Sequence, residues 1–166
     1  MQKPPALAGS ALFLVIAPGI LAGVIPWQVT GWEAQPPLLG WPWTRGLGIL
    51  LIGAGLPILL DSFRRFAVEG LGTPAPVAPP QHLVVRGAYR HVRNPMYVAV
   101  VSLVLGQSIA FASVPLSVYG AGLAVAFHLF VLLYEEPVLR ATFGAEYAAY
   151  CANVSRWWPR LRPWRG

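Results

Sequence analysis

Charged residues are scarce in this chain. Only 11% of its 166 residues are Asp, Glu, Lys or Arg, against 56% hydrophobic residues. Because soluble domains carry about 25% charged residues, this composition excludes an ordinary soluble fold. Acidic residues are the rarer sign, with six against twelve Lys and Arg, and the net charge is +6. The composition therefore indicates an integral membrane protein.

Cysteine is represented by Cys151 alone, which excludes an internal disulfide. With no second Cys or His cluster near it, Cys151 is interpreted as a packing residue, and no metal site is expected. The arginines flank apolar segments and do not form the basic stripe of a nucleic-acid-binding surface. We therefore expect membrane lipids and an anionic ligand as partners, and no nucleic acid.

Uncharged segments predict four transmembrane helices, since a helix that crosses the ~30 Å hydrocarbon core needs ~20 residues. Residues 4–32 and 94–134 carry no charge, and the second segment is long enough for two helices with a turn near Ser113. The predicted spans are residues 6–25, 46–60, 95–111 and 115–134. The fold class expected is an all-α, polytopic membrane bundle that forms one domain over residues 1–166.

The second span is short, because only residues 46–60 separate Arg45 from Asp61. It must either recruit flanking residues or cross incompletely. Asp61 is interpreted as an ion-pair partner of Arg64, Arg65 or another interfacial arginine, with a functional role as the alternative. The tryptophans and prolines that begin at Trp27 predict an interfacial loop before this span.

The positions of Lys and Arg predict the orientation. Five of the twelve lie in residues 64–93 and five follow Glu135. By the positive-inside rule both termini and the long second loop are cytoplasmic, and four spans satisfy this parity. No convincing cleavage site ends the first apolar segment, so an uncleaved first helix is expected. The expected location is the bacterial inner membrane.

An amphipathic helix is predicted after the acidic pair Glu135-Glu136. Apolar residues recur there at three- and four-residue spacing, namely Leu139, Phe143, Tyr147 and Tyr150. This pattern indicates a helix that lies on the membrane surface or caps the bundle. The tail that follows, residues 156–165, mixes Arg and Trp, as is typical of a headgroup interface.

The candidate site lies where the third and fourth spans meet the cytoplasm. Its polar residues are Arg86, Arg90, His91, Arg93, Asn94 and Tyr97 on one side, and Glu135 and Glu136 on the other. A helix N-terminus flanked by arginines attracts a carboxylate or phosphate. Adjacent carboxylates accept hydrogen bonds from ribose hydroxyls or stabilise a cation. A zwitterionic, ribose-containing cofactor fits both sides, and simple ion pairing between the two sides is the alternative.

His128 is a further candidate, because it precedes Glu135 by seven residues and falls on nearly the same face of an ideal helix. One interpretation makes it a proton acceptor near the substrate. The alternative is a hydrogen-bonded residue between helices.

Four motifs occur in order between residues 87 and 159. They are Gly87-x-Tyr89-Arg90-x-x-Arg93-Asn94-Pro95-Met96-Tyr97, Glu135-Glu136-x-x-Leu139, Phe143-Gly144-x-x-Tyr147-x-x-Tyr150 and Arg156-x-x-Pro159. Together they resemble the isoprenylcysteine carboxyl methyltransferase family, whose wider group includes membrane phospholipid N-methyltransferases. Three positions depart from the commoner pattern, with Asn94 in place of His, Ala99 in place of Gly and Ser155 in place of Pro. Asn can form hydrogen bonds but cannot titrate.

The resemblance implies a membrane enzyme that binds S-adenosylmethionine on the cytoplasmic side. Residues 1–80 are expected from their apolar segments to form two N-terminal spans with their loops, and the resemblance implies that residues 81–166 form the cofactor-binding methyltransferase core. The expected acceptor is lipophilic, either a carboxylate such as an isoprenylcysteine or a lipid amine. The cofactor-binding candidates are Arg90, Arg93, Asn94, Tyr97, Glu135, Glu136 and Tyr147, and the catalytic candidates are Glu135 and His128. A non-catalytic membrane protein with a transport or assembly role is the alternative.

Overall fold

The computed structural model describes residues 16–37, 40–69 and 82–165, which form helices and turns with no strand among them. The helices are α1 (Ile16–Thr30), α2 (Trp43–Glu69), α3 (Pro95–Ala110), α4 (Val114–Phe130) and α5 (Glu136–Asn153). A 3-10 turn, Gly87–Arg90, precedes α3, and a π turn, Val131–Glu135, joins α4 to α5. The predicted all-α class is confirmed.

Two helical segments are long and apolar enough to cross a membrane, namely Trp43–Arg65 within α2 and Val114–Asn153, which includes α4 and α5. Only 28% and 22% of the residues in their most apolar segments are buried, whereas the core helix of a soluble protein is mostly buried. Their exposed apolar faces are suited to contact with lipid, and α1 and α3 are shorter apolar helices. The chain is therefore an integral membrane helical bundle. The predicted start of the first span, residue 6, lies outside the described residues.

The second helix is longer than predicted, because charged residues continue it past Leu60. Asp61 Oδ2 lies 2.7 Å from Arg65 Nε, and Asp61 Oδ1 lies 3.8 Å from Arg64. These ion pairs link positions one turn apart and so support the helical conformation. The interpretation of Asp61 as an ion-pair partner is confirmed. Residues 46–60 are the apolar middle of a helix that ends at Glu69.

A distortion in α1 explains why that helix runs past its predicted end. Pro26 has no N–H to donate to Ala22 O, and a π turn just before it frees a further carbonyl. Gln107 Nε2 donates to Ala22 O at 2.7 Å, and Tyr119 O–H donates to Leu21 O at 3.0 Å. Neighbouring helices thus satisfy the freed carbonyls, as an apolar surrounding requires. The helix continues to residue 30, and the expected interfacial loop begins only after it.

Helices α2 and α3 pack with their backbones in contact. A Cβ on Gly48 would lie 2.5 Å from Gly106 O, and a Cβ on Gly106 would lie 2.8 Å from Gly48 O. Small residues permit this close approach of membrane helices. Around the contact lies the main apolar core, which includes Leu59, Phe63, Ala99, Val100, Leu103, Val104, Leu116 and Leu123. The third span matches its prediction within one residue.

The fourth span does not end before the acidic pair. Val114–Asn153 is a helical segment of 40 residues that runs through the acidic pair, and it is longer than the ~20 residues that a helix needs to cross the hydrocarbon core. The amphipathic helix expected after the acidic pair is present as α5, and its backbone leaves the helical conformation at Gly144 (φ 48°, ψ −118°), where the chain kinks. The predicted apolar stripe, with Tyr147 and Tyr150, packs on Leu83 and Trp164. This face caps the bundle.

Candidate functional site

The structure brings Tyr97, in the first turn of α3, to Glu135, at the end of the π turn. The Tyr97 O–H donates to Glu135 Oε2 at 2.8 Å. The Tyr97 ring packs on Phe127 with centroids 4.6 Å apart, which fixes the direction of the phenol. Two candidates that are 38 residues apart in sequence are thus in direct contact.

Glu136 has a different environment, because three arginines surround its buried side chain. Arg156 Nε lies 2.7 Å from Oε1, and Arg156 donates a second hydrogen bond to Oε2 at 3.0 Å. Arg93 lies 3.1 Å from Oε1 and Arg140 lies 3.6 Å from Oε2. The hydrogen bonds to Glu136 raise the pKa of the Arg156 guanidinium, which stays charged. The charge of Glu136 is neutralised within the protein.

Glu135 is not neutralised in this way. Among the described residues, no Arg, Lys or His forms an ion pair with Glu135, and the Tyr97 hydroxyl donates a hydrogen bond to it. The charged form of a partly buried carboxylate without a cationic neighbour is costly, and either a cationic ligand or uptake of a proton removes this cost. The two adjacent carboxylates therefore have different capacities: Glu135 can bind a cation, whereas Glu136 organises the surrounding arginines.

The π turn directs the two glutamates to different neighbours. A π turn carries more residues than an α turn and shifts the phase of the helix after it. In an ideal helix His128 lies on the same face as Glu135. The additional residue of the π turn rotates the following helix, so that Glu136 lies closer to the face of His128. The tail agrees with the shift, because the consecutive residues Arg156 and Trp157 bond to Glu136 and His128. The expectation that His128 and Glu135 share a face is corrected.

His128 is hydrogen-bonded through one ring nitrogen. Trp157 Nε1 lies 3.0 Å from His128 Nδ1, and the two rings are 5.9 Å apart. Because the indole N–H can only donate, Nδ1 accepts and the neutral ring carries its hydrogen on Nε2. Protonation of Nδ1 therefore requires loss of this bond. The geometry favours the hydrogen-bonded interpretation, with the tail as the partner.

Arg93 and Asn94 join α5 and the tail to the start of α3. Arg93 donates to Cys151 Sγ at 2.7 Å, and its Nε is buried without a partner among the described residues. Asn94 is the N-cap residue of α3, but its side chain donates to Arg156 O at 3.2 Å and makes no cap bond. Cys151 thus accepts a hydrogen bond from a site residue in addition to packing. Tyr147 is buried nearby against Tyr150, with ring centroids 6.3 Å apart.

Arg90 contacts the tail, and it forms no ion pair with either glutamate among the described residues. Arg90 Nε donates to Trp164 O at 2.6 Å, and Trp164 N–H donates to Arg90 O at 3.0 Å. A similar pair joins His91 and Arg160, whose N–H donates to His91 O at 2.9 Å. The tail therefore runs antiparallel to the loop before α3. Burial raises the pKa of the Tyr89 phenol in this loop well above its ordinary value.

Sequence reasoning did not place Arg140, Arg156 and Trp157 in the site. Arg140 follows Glu136 by one helical turn, so the i,i+4 spacing could have identified it. Arg156 was noted only as part of the tail motif. Trp157 is 29 residues from its partner His128, and no local pattern predicts that contact.

The fold and site define an integral membrane protein with a polar site at one end of its helices. The profile of the phospholipid methyltransferase family matches residues 43–146, more than half of the chain. The chain belongs to this family, and membership implies a membrane methyltransferase. The family shares a superfamily with the isoprenylcysteine methyltransferases, which confirms the resemblance found in the motifs. Comparison with curated proteins and with solved structures found no match.

Proposed function

We propose that the protein transfers a methyl group from S-adenosylmethionine to a lipophilic acceptor, with Glu135 and Tyr97 beside the methyl donor. The observation that carries this proposal is the contrast between the two glutamates. Glu136 is neutralised by arginines, whereas Glu135 has a hydrogen bond from Tyr97 and no ion pair among the described residues. Glu135 is therefore suited to a cationic ligand.

The residues present fit this cofactor in charge. S-adenosylmethionine supplies a methyl group on a positively charged sulfur, and it also carries an ammonium, a carboxylate and ribose hydroxyls. Glu135 complements a positive charge or ribose hydroxyls. The buried and unpartnered Arg93 Nε is a donor for an anionic group. Arg93, Tyr97 and Glu135 are our primary assignments, with Asn94, Glu136 and Tyr147 as supporting residues. Arg90 is reassigned to holding the tail.

The reaction needs alignment more than acid–base chemistry. A lone pair of the acceptor attacks the methyl carbon in line as the carbon–sulfur bond breaks, and the sulfur leaves as a neutral thioether. The protein residues orient the two reactants and exclude water. In this scheme Tyr97 fixes the direction of Glu135, while Arg93 and Arg156 hold Glu136.

An amine acceptor must first lose its proton, and this requirement separates the two catalytic candidates. His128 Nδ1 already accepts a hydrogen bond from Trp157. Glu135 has no such competing donor beyond Tyr97. We therefore assign proton acceptance from an amine to Glu135 ahead of His128. A carboxylate acceptor, already ionised, needs no base.

We assign the acceptor to the phospholipid amines, because the description of the matching family names phospholipids. An isoprenylcysteine-like carboxylate is the competing acceptor, as the motif resemblance implies. In our proposal the site and both termini face the cytoplasm of a bacterial inner membrane, in agreement with the clustering of arginine in residues 64–93 and after Glu135.

Calorimetry of the purified full-length protein with S-adenosylmethionine tests the cofactor assignment. We expect Glu135→Gln to weaken binding about tenfold, since a charged hydrogen bond contributes about 1.5–3 kcal/mol. Glu33→Gln is the matched control, because Glu33 is exposed in the loop after α1. Absence of binding by the unmodified protein would support the non-catalytic alternative. Equal affinities of both variants would remove Glu135 from the site.

Transfer of labelled methyl from S-adenosylmethionine tests the acceptor. The protein is reconstituted with phosphatidylethanolamine, or supplied with a farnesylated cysteine. We expect label in the phospholipid, and label only in the cysteine derivative would reverse the assignment.

A further inference from the structure

A cavity of about 1160 Å³ lies between the end of α2, the loop before α3 and the C-terminal tail. We refer to it as the tail cavity. Its lining includes Arg65 from α2, Arg86 and Arg90 from the loop, and Trp164 and Arg165 from the tail. None of the residues assigned above to the methyl donor lines it, so the tail cavity is a separate site.

The tail cavity is strongly cationic. Four arginines line it, against one carboxylate among the described lining residues, Glu146, and one of the four, Arg65, is paired with Asp61. In the described part of the chain, Arg86 and Arg165 form no ion pair. Arg90 uses its Nε for Trp164 O. Clustered guanidinium groups with free donors are suited to phosphate, which they can bind through paired hydrogen bonds.

The remaining lining is apolar and indicates a ligand with an apolar portion. Leu83, Val85, Pro163 and Trp164 line the tail cavity together with the arginines. The cavity also lies beside the end of the apolar part of α2, where Asp61 and Arg65 mark the headgroup level. A soluble phosphate would use only the cationic part of this lining, whereas a phospholipid would use both parts.

The walls of the tail cavity are held in place by local contacts. Gly87 has a φ of 57°, and a Cβ there would overlap the Arg65 side chain, so only glycine lets the loop approach α2. Arg90 and Trp164 exchange hydrogen bonds, and the Trp164 ring packs on Tyr150 at 5.6 Å. Because these contacts are made within the protein itself, little ordering is needed for binding.

We propose that the tail cavity binds the phosphate of an anionic membrane phospholipid, at a site separate from the methyl acceptor. Arg86 and Arg165 bind the phosphate, and Trp164 contacts the adjoining apolar part of the lipid. Since the same tail carries Arg156 and Trp157, a lipid bound here also stabilises the tail against Glu136 and His128.

Thermal unfolding of the full-length protein in detergent tests this proposal while short-chain phosphatidylglycerol is titrated, because a ligand that binds the folded state raises the midpoint with concentration. We expect Arg86→Gln/Arg165→Gln to weaken the apparent affinity about tenfold. Arg162→Gln is the control, since it removes an exposed arginine from the same tail outside the cavity. Its affinity should stay within about twofold, as expected for a surface charge. The single variant Arg165→Gln gives the same comparison if the double variant does not fold.

Two results would overturn the proposal. An equal loss of affinity in Arg162→Gln would show general attraction between a basic surface and an anionic lipid. Equal stabilisation by inorganic phosphate at the same concentration would assign the cavity to a soluble phosphate. The titration contains no methyl donor, so its outcome is independent of the proposed methyl transfer.

Discussion

Arg156 holds Glu136 through two hydrogen bonds, from Nε to Oε1 at 2.7 Å and from its second nitrogen to Oε2 at 3.0 Å. A residue of the C-terminal tail thereby neutralises the buried carboxylate next to Glu135. The family match ends at residue 146, so half of this pair lies beyond the matched region. The tail is part of the site although it follows the last helix.

Loss of Arg156 should destabilise the protein. Arg156→Gln removes two charge-assisted hydrogen bonds from a buried carboxylate, and we expect a loss of about 2 kcal/mol in the free energy of unfolding. Arg156→Lys retains the charge but not the paired geometry and should lose less. Thermal unfolding followed by tryptophan fluorescence measures both. The exposed Arg162→Gln should leave the midpoint nearly unchanged, and an equal midpoint for Arg156→Gln would contradict the prediction.

The Tyr97 hydroxyl should affect cofactor affinity more than stability. Tyr97→Phe removes the hydrogen bond to Glu135 but keeps the ring contact with Phe127. We expect S-adenosylmethionine affinity to fall about fivefold, in line with about 1 kcal/mol for one hydrogen bond. Calorimetry measures the change. Tyr134→Phe is the control, because Tyr134 is exposed and packs only through its ring on Phe130 among the described contacts. The same affinity change in both variants would rule out a specific role for Tyr97.

Gln107 should stabilise α1 because it donates a hydrogen bond to Ala22 O, which Pro26 cannot do since it has no N–H. Gln107→Leu should cost about 1 kcal/mol, near the average for hydrogen bonds between membrane helices. The sharper measurement is a double-mutant cycle with Pro26→Ala, because alanine restores an N–H for Ala22 O. In the Pro26→Ala background Gln107→Leu should cost less. Additive effects on the unfolding midpoint would disprove the coupling.

Gly87 should resist substitution, in contrast to a glycine in α2. Gly87→Ala places a Cβ against Arg65 at a φ of 57°, and we expect a loss of about 1–3 kcal/mol in stability. Gly53→Ala meets nothing within 4 Å, and it should be neutral or stabilise the helix by up to about 1 kcal/mol. Thermal unfolding of the two variants gives the comparison. A Gly87→Ala protein as stable as Gly53→Ala would show that the loop can move away from α2.

Much of the fold was predictable because hydrophobic runs and charges act locally. The uncharged run after Asn94 predicted α3 within one residue, and the arginines that follow Asp61 predicted that it forms an ion pair. The end of α1 was not predictable from local pattern. Pro26 normally interrupts a helix, and it is accommodated here only because Gln107, from a distant segment, supplies the missing donor.

For the site, the sequence alone determined the candidate residues. It also predicted a hairpin of two spans whose ends meet at one membrane surface, so Tyr97 and Glu135 were correctly expected to lie close. Which glutamate is neutralised was decided only by the tertiary structure. The π turn rotates Glu136 towards Arg156, while Glu135 accepts a hydrogen bond from Tyr97. The tail is held in that position by contacts between residues that are 20 to 74 positions apart in the sequence. A helical phase shift and long-range pairing depend on packing between segments, because no local pattern specifies which distant donor meets which carboxylate.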